Sequence, residues 1–379
     1  MASVSNFPHY LISFLVFITI LVFVHELGHF LVARWCGIRV DVFSVGFGPE
    51  LFGWTDRRAT RWKFSALPLG GYVKMFGDTN VMSLPDGSER PMTPAEAAVS
   101  FHHKSLGRRA MVAAAGPAAN FLFAIVVFAV LFGTYGQQFS STEVGEVFPN
   151  SAAATAGLQA GDRILSINGQ PIRRFEDIAA TVQMGLGAPL TLSVERGGAT
   201  VQIAAQPAVK EDTDIFGNVH RIGQLGIRSV GPGPVVRYGP LTAAGAALEE
   251  TWRVTAGTMQ ALWQIINGSR PVNELGGVIR IAKMSGDVTS MSLLAAVSLG
   301  ALLSINLGLI NLFPIPMLDG GHLVFYAIEA VRGRPLGAKA QEWGFRVGLA
   351  FVLALFLLAT RNDLMSFPAV VNFVKRLIT

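Results

Sequence analysis

Val24-His25-Glu26-Leu27-Gly28-His29-Phe30 closes a run, Leu11 to Val24, in which only Ser13 and Thr19 are not apolar. On a helix, residues four apart share a face. The two imidazoles of this H-E-x-x-H pattern therefore project together, at the spacing that suits two ligands of one zinc ion. Glu26 follows the first histidine and can reach an attacking water without competing for the metal, which is the geometry of a general base. The same five residues arise by chance in soluble helices, where two exposed histidines carry no function. Here the setting is apolar, and ionisable groups in a membrane span are costly and usually functional.

The rest of the chain agrees with that setting. Its 379 residues are 51% hydrophobic and only 15% charged, with a mean hydropathy of +0.46. These values point to an integral membrane protein with a soluble part. Spans need about 20 apolar residues. Tyr10–Ala33, Ala110–Tyr135, Ser292–Phe313 and Trp343–Thr360 meet that need, the last most weakly. The N-terminus has no positive region ahead of its apolar run, and the run contains the metal motif, so it reads as a retained span and not a cleaved signal. The net charge of +5 comes with no basic block, which argues for a lipid bilayer as partner and against nucleic acid. Cys36 is the single cysteine, so no intrachain disulfide can form. It reads as structural.

Loop charge orients the chain. Residues 36–107 carry Arg39, Arg57, Arg58, Arg61, Lys63, Lys74, Arg90 and Lys104, whereas the tail before Tyr10 has no Lys or Arg. The positive-inside rule puts the N-terminus outside and this loop in the cytoplasm. His25 lies about 22 Å along the helix from Tyr10, at about 1.5 Å per residue. The motif is thus expected near the cytoplasmic side.

The connections have their own patterns. Arg61 to Met75 is rich in aromatic and β-forming residues and is punctuated by Pro68 and Gly70-Gly71, as a hairpin would be. Glu143 to about Pro207 reads as a small soluble α+β domain, with a helix over Phe175–Val182 and strands over Leu190–Val194 and Thr200–Ile203. Ala208–Pro240 offers short strands. Leu241–Asn267 is helical, with a stripe through Leu248, Trp252, Met259, Leu262 and Ile266, and Glu249, Glu250 and Arg253 argue against a span. It reads as a helix lying on the outer surface or packed beneath the soluble domain.

Within the soluble part, Ala156–Gly169 resembles a PDZ domain, and the fold class expected is a polytopic α-helical membrane protein with four transmembrane helices, an inserted extracytoplasmic PDZ-like α+β domain and a membrane-associated β-hairpin. The expected division is 1–35, first span with the motif; 36–107, cytoplasmic loop with a re-entrant hairpin; 108–136, second span; 137–207, PDZ-like domain; 208–290, extracytoplasmic β segment and amphipathic helix; 291–322, third span; 323–379, fourth span and tail.

Two further stretches bear on chemistry. Asn311-Leu-Phe-Pro314-Ile-Pro316-Met-Leu-Asp319-Gly320-Gly321-His322 ends the third span, at the same cytoplasmic depth as His25 and His29. A carboxylate there would complete three protein ligands with an open fourth position, as catalytic zinc requires. Asp319 is alternatively a turn former, and His322 is a lower-ranked rival ligand. Gly116-Pro117-Ala118-Ala119-Asn120 opens the second span with small residues that permit close helix contact. Packing beside a site and a simple kink are both open readings of its Pro and Asn.

The stretch Ala156-Gly-Leu-Gln-Ala-Gly-Asp-Arg-Ile-Leu-Ser-Ile-Asn-Gly169 resembles a PDZ domain. With the H-E-L-G-H motif, Gly116 to Asn120 and Asn311 to Gly321, nearly the whole chain resembles the site-2 protease family of intramembrane zinc metalloproteases, in its bacterial RseP-type branch. That resemblance implies Zn2+ held by His25, His29 and Asp319, with Glu26 as the base. It implies that Asn311 helps hold the substrate backbone and that Arg61–Met75, including Gly70, Gly71 and Tyr72, is a re-entrant element pairing with unwound substrate. Implied substrates are single-span membrane proteins already shortened outside, with anti-sigma factors as precedent, or remnant signal peptides. The implied location is the bacterial cytoplasmic (inner) membrane. A non-enzymatic membrane PDZ scaffold is the rival of another class. Two departures stand out: one PDZ-like stretch where many relatives of that branch have two, and Gly276-Gly277 where a Gly-Pro pair is common.

Overall fold

The computed structural model describes residues 7–77, 92–213 and 219–365. Arg90 and the C-terminal tail beyond Met365 lie outside the described residues. The chain divides into two compact units, one built from the described residues up to Val127 and from Gly276 onward, the other from Phe128 to Leu275.

In the first unit, helix α1 (Phe7–Trp35) carries the H-E-x-x-H motif. It stops where Gly37 takes a left-handed φ of 70°. The Ile38 N–H then bonds back to the Ala33 carbonyl at 2.9 Å and Gly37 N–H to Arg34 at 3.1 Å, which closes the open helix end. Strands β1 (Val40–Thr55) and β2 (Arg61–Met75) follow and pair antiparallel.

Arg61–Met75 was expected to turn on itself at Pro68 and Gly70-Gly71. It does not: its partner is the preceding strand, and the turn falls at residues 56–60, where Ala59 adopts a φ of 63°. Phe43 faces both Val73 and Trp62, and Ser44 faces both Tyr72 and Lys63, while Trp54 also faces Trp62. The two long strands therefore fold into four segments, ordered 71–75, 40–45, 61–65 and 50–55. Gly46 (φ 90°) and Gly70 (φ 141°) sit at the bends that make this possible. An aromatic stack holds the sheet to α1, with Phe43 on Trp62 at 4.4 Å and Phe30 edge-on to Phe43 at 5.4 Å. Cys36 is buried in the same cluster, beside Ile38, Val40 and Val112.

A short helix α2 (Pro94–Val99) starts with a reciprocal Thr93–Glu96 cap. Helix α3 (Leu106–Thr134) contains Pro117 and crosses from the first unit into the second.

The second unit holds β3 (Gln137–Ser140), β4 (Val144–Val147), α4 (Ala152–Thr155), β5 (Arg163–Ile167), β6 (Gln170–Pro171), α5 (Phe175–Met184), β7 (Leu190–Arg196) and β8 (Ala199–Ala205). Four of these form an antiparallel sheet in the order β6-β5-β7-β8. Leu192 and Val194 alternate inward, Ile164 and Ile167 face the same way across a register shift in β5, and all four share a core with Ile178 and Val182 of α5. A boundary at Pro207 falls too early. After the hairpin of β9 (Ala208–Thr213) and β10 (Val219–Gln224), strands β11 (Ile227–Ser229) and β12 (Pro232–Val236) return to pair with β4 and β3. Leu225 joins the same core. Helix α6 (Pro240–Ile266) completes the unit with a 3-10 turn at Val272–Glu274. Leu248, Trp252, Met259 and Ile266 of its apolar stripe are exposed.

The first unit resumes with α7 (Val278–Met291), α8 (Leu293–Asn311), α9 (Asp319–Arg332) and α10 (Ala338–Met365). Helices α7 and α9 are elements the sequence reading did not separate. The third span, read as Ser292–Phe313 within the 291–322 segment, is α8 and stops at Asn311. Pro314 and Pro316 cannot continue it, and Met317 turns the chain at a φ of 96°. Asp319 thus opens a new helix. The Gly276-Gly277 departure also gains a reason. Gly277 N–H donates to the buried Asp363 of α10 at 2.8 Å, and Arg280 N–H to the same carboxylate at 3.0 Å. A proline at 277 would have no N–H to give. Helices α1, α3, α8 and residues Lys339–Met365 of α10 are long and apolar enough to cross a membrane.

Candidate metal centre

Two helices converge at one point of the first unit. Helix α1 supplies His25 and His29, both buried. Asp319, the first residue of α9, meets them from across the fold. His25 Nε2 lies 3.1 Å from Asp319 Oδ2, His29 Nε2 lies 3.4 Å from the same oxygen, and the two Nε2 atoms are 3.2 Å apart. Among the described residues these three are the one group of His, Cys, Asp or Glu disposed to hold a metal ion.

The triangle can be tested against zinc. Tetrahedral ligands at about 2.0–2.1 Å from the ion must stand about 3.3 Å from one another. The three observed separations bracket that edge. The donor set, two imidazole nitrogens and one carboxylate oxygen, leaves a fourth position open, as catalytic sites do. The residues fit the metal.

Their surroundings orient them. His29 Nδ1 is 2.8 Å from the Val112 carbonyl of α3, which fixes its proton on Nδ1 and frees Nε2. His25 Nδ1 lies 3.2 Å from the Asn120 side-chain amide, also on α3. Helix α3 can come this close because its residues are small. A Cβ on Gly116 would press on both imidazoles, 2.7 Å from His25 Cε1 and from His29 Cε1. A Cβ on Gly28 would collide with the Ala115 carbonyl and Ala119. The Gly116–Asn120 stretch is thus packing beside the site, one of the two readings its sequence allowed.

Glu26 sits beside the triangle and against the sheet. The Val73 backbone N–H is a hydrogen-bond partner of its carboxyl. A Cβ on Gly71 would lie 3.4 Å from Glu26 Cγ. The segment 71–75 is the end segment of the sheet order, so it presents a backbone edge next to the base. Tyr72 stacks on Phe47 at 6.1 Å, and Lys63 Nζ stands 5.1 Å over its ring. The ring of Phe47 covers Gly70.

The remaining candidates separate. Asn311 is the half-buried last residue of α8, and no side-chain contact joins it to the triangle among the described residues. His322 stays out of the triangle and packs among Phe325, Tyr326 and Phe345, with Phe345 5.5 Å away. The sequence reading gave no role to Gly116 as the floor under the two imidazoles. The signal was its position opposite a helix carrying both histidines, which only the helix pairing reveals.

The chain as a whole is similar to known zinc metalloproteases. The family model for peptidase family M50 matches residues 13–355. A protein of Agrobacterium fabrum named as a zinc metalloprotease is 46% identical over 97% of this chain and 98% of its own. The metalloprotease MmpA of Caulobacter vibrioides is 40% identical over 97% of this chain and 98% of its own. The regulator of sigma-E protease RseP of Escherichia coli is 33% identical over 93% of this chain and 98% of its own. Among solved structures, the PDZ domain of an SdrC-like protein from Listeria monocytogenes matches 24% of this chain and 90% of that one, at 21% identity and a TM-score of 0.19.

Proposed function

Because the chain belongs to peptidase family M50, the site-2 protease family of zinc metalloproteases, we propose that it hydrolyses peptide bonds within or near the transmembrane segment of single-span membrane proteins, with His25, His29 and Asp319 as zinc ligands and Glu26 as base. The observation that carries this is the triangle of Nε2, Nε2 and Oδ2 atoms, with the Glu26 carboxyl beside it and a sheet edge alongside.

When bound, zinc supplies Lewis acidity toward the scissile carbonyl and makes water acidic enough to deprotonate near pH 7. Glu26 takes the proton of the attacking water on its carboxylate and hands it to the departing amine nitrogen. Its carboxyl has the Val73 N–H as a hydrogen-bond partner and lies within electrostatic reach of the two histidines of its own helix. His29 is held by the Val112 carbonyl, so proton movement at the site falls to Glu26.

A helical substrate poses a second problem, because its carbonyls are already hydrogen-bonded. One must be exposed for attack, and the freed backbone groups then need partners. The edge segment 71–75 is suited to supply them by strand pairing, with Gly71 and Tyr72 at its start and Gly70 at the bend just before it. Asn311 remains a candidate substrate contact at the end of α8. Kinship with RseP supports substrates of the kind the family cuts, single-span proteins already shortened outside the membrane, anti-sigma factors among them. Remnant signal peptides share that chemistry. The loop charges support an inner-membrane placement with the site toward the cytoplasm and the PDZ-like body outside.

The test is comparative proteomics of membranes from cells carrying the wild-type or the Glu26→Gln protein. Single-span fragments with trimmed outer regions should accumulate with the variant. An identical fragment profile in both strains would refute the substrate class.

A further inference from the structure

Asn120 lies fully buried in α3, at 0% exposure. Its backbone carbonyl accepts from Ser304 Oγ of α8 at 2.9 Å, and Gly308 closes over its Cβ. Its side chain points at His25, with Nδ2 3.2 Å from the ring Nδ1. Its Oδ1 is buried with no hydrogen-bond partner among the described residues. A buried carbonyl oxygen left unpaired costs about 1–3 kcal/mol, so such an atom beside a functional histidine calls for an explanation.

The chemistry of the imidazole supplies one. A neutral ring carries its proton on one nitrogen only, and the other nitrogen offers the lone pair. For His25 to ligate through Nε2, the atom that faces His29 and Asp319, the proton must sit on Nδ1. An Nδ1–H needs an acceptor. The amide NH2 of Asn120 can only donate, whereas its Oδ1 can only accept. A half-turn about the Cβ–Cγ bond exchanges the two within the same volume.

We propose that Asn120 is the positioning residue for His25: with zinc held, its Oδ1 accepts from His25 Nδ1–H and so selects the tautomer whose Nε2 ligates. This pairs the orphan oxygen and gives His25 the same kind of support that the Val112 carbonyl gives His29. The two imidazoles would then be held through α3 alike, one by a backbone carbonyl and one by a side-chain carbonyl. The inference rests on the ligand set proposed above.

Chelator competition on the purified full-length protein tests it. Asn120→Ala should weaken zinc binding about 10- to 100-fold, the usual effect of removing the acceptor behind a ligating histidine. Asn120→Asp offers only oxygens to Nδ1 and should stay within a few-fold of wild type. Ser304→Ala, which loses only the bond to the Asn120 backbone, should bind as wild type does. Zinc affinity of Asn120→Ala equal to wild type overturns the role, and so does Asn120→Asp binding as poorly as Asn120→Ala. Because a buried carboxylate can disturb folding, a second readout uses the wild-type protein alone. Nitrogen-15 spectra of histidine-labelled, zinc-loaded protein should show His25 protonated at Nδ1, and a proton on Nε2 overturns the proposal. His25→Ala tests the ligand set separately: if it keeps full zinc affinity, the metal assignment itself fails, whatever Asn120 does.

Discussion

Adding one methyl group at Gly116 should separate helix stability from metal binding. The new Cβ would stand 2.7 Å from His25 Cε1 and 2.7 Å from His29 Cε1. Carbon atoms rest at about 3.5–4.0 Å, so each ring, or the helix, must give way by about 1 Å. Metal sites tolerate about 0.2 Å in ligand distance, so the triangle cannot absorb the shift and keep its geometry. Overpacking of this kind costs about 1–3 kcal/mol. At about 1.4 kcal/mol per tenfold, that is roughly a 5- to 150-fold loss of zinc affinity if the strain falls on the imidazoles. Gly107 is the internal control, because it lies in the same helix with nothing within 4 Å of its Cβ position. Gly→Ala inside a helix raises propensity by about 0.5–1 kcal/mol, which by itself favours the Gly116 variant and so cannot account for weaker binding in it. The expected result is normal zinc affinity in Gly107→Ala and at least about fivefold weaker binding in Gly116→Ala, read by chelator competition and by metal content. Equal affinity in the two variants would show that α3 does not pack under the imidazoles as described, and the account of Gly116 would be wrong.

Glu26→Gln should keep the fold and about one zinc per chain but lose about 10²- to 10⁴-fold in cleavage, since an amide cannot take the water's proton; substantial residual turnover would point to another base. Asp319→Ala should weaken zinc binding by at least about tenfold, because one of three ligands is removed, and unchanged metal content would take that residue out of the set. Asp162 in the second unit accepts two 2.7 Å bonds from Arg196, the main reason its carboxyl titrates below the usual carboxylate range. A folded value below the unfolded one, about 3.9, means that this bond stabilises the fold fully above that pH and ceases to do so as pH falls toward the folded value. Amide exchange in β5 and β7 should therefore quicken as pH drops below about 4, relative to the intrinsic rate, and Arg196→Gln should remove most of that dependence; a variant with the wild-type profile would exclude this pair as its source.

Local pattern was enough for much of this protein. The apolar run before His25, the i, i+4 spacing of the histidines, and the Asp319-Gly320-Gly321 stretch after two prolines are contiguous signals, and each exposes its chemistry without a partner. Alternation over Leu190–Val194 and Thr200–Ile203 marked two strands for the same reason, since a strand with one buried face writes a period of two into the sequence. What the tertiary structure alone decided involves residues far apart in the chain. The partner of Arg61–Met75 was invisible because Gly46, Gly48 and Pro49 interrupt the alternation of β1, and the bend there, with the one at Gly70 in β2, is what lets one hairpin fold into four segments. Strands β11 and β12 pair with β4 and β3 across 80 or more positions of chain, and no local period reports such a pairing. Asn120 and Gly116 look in sequence like a helix with small residues and a kink. Their meaning depends on which face of α3 meets α1, and that is set by the packing of Gly28 against Ala115 and Ala119. Sequence thus pointed to candidate metal ligands, because ligand chemistry is a property of residue type and spacing. Structure decided what holds those atoms in place, because orientation comes from groups that only folding makes neighbours.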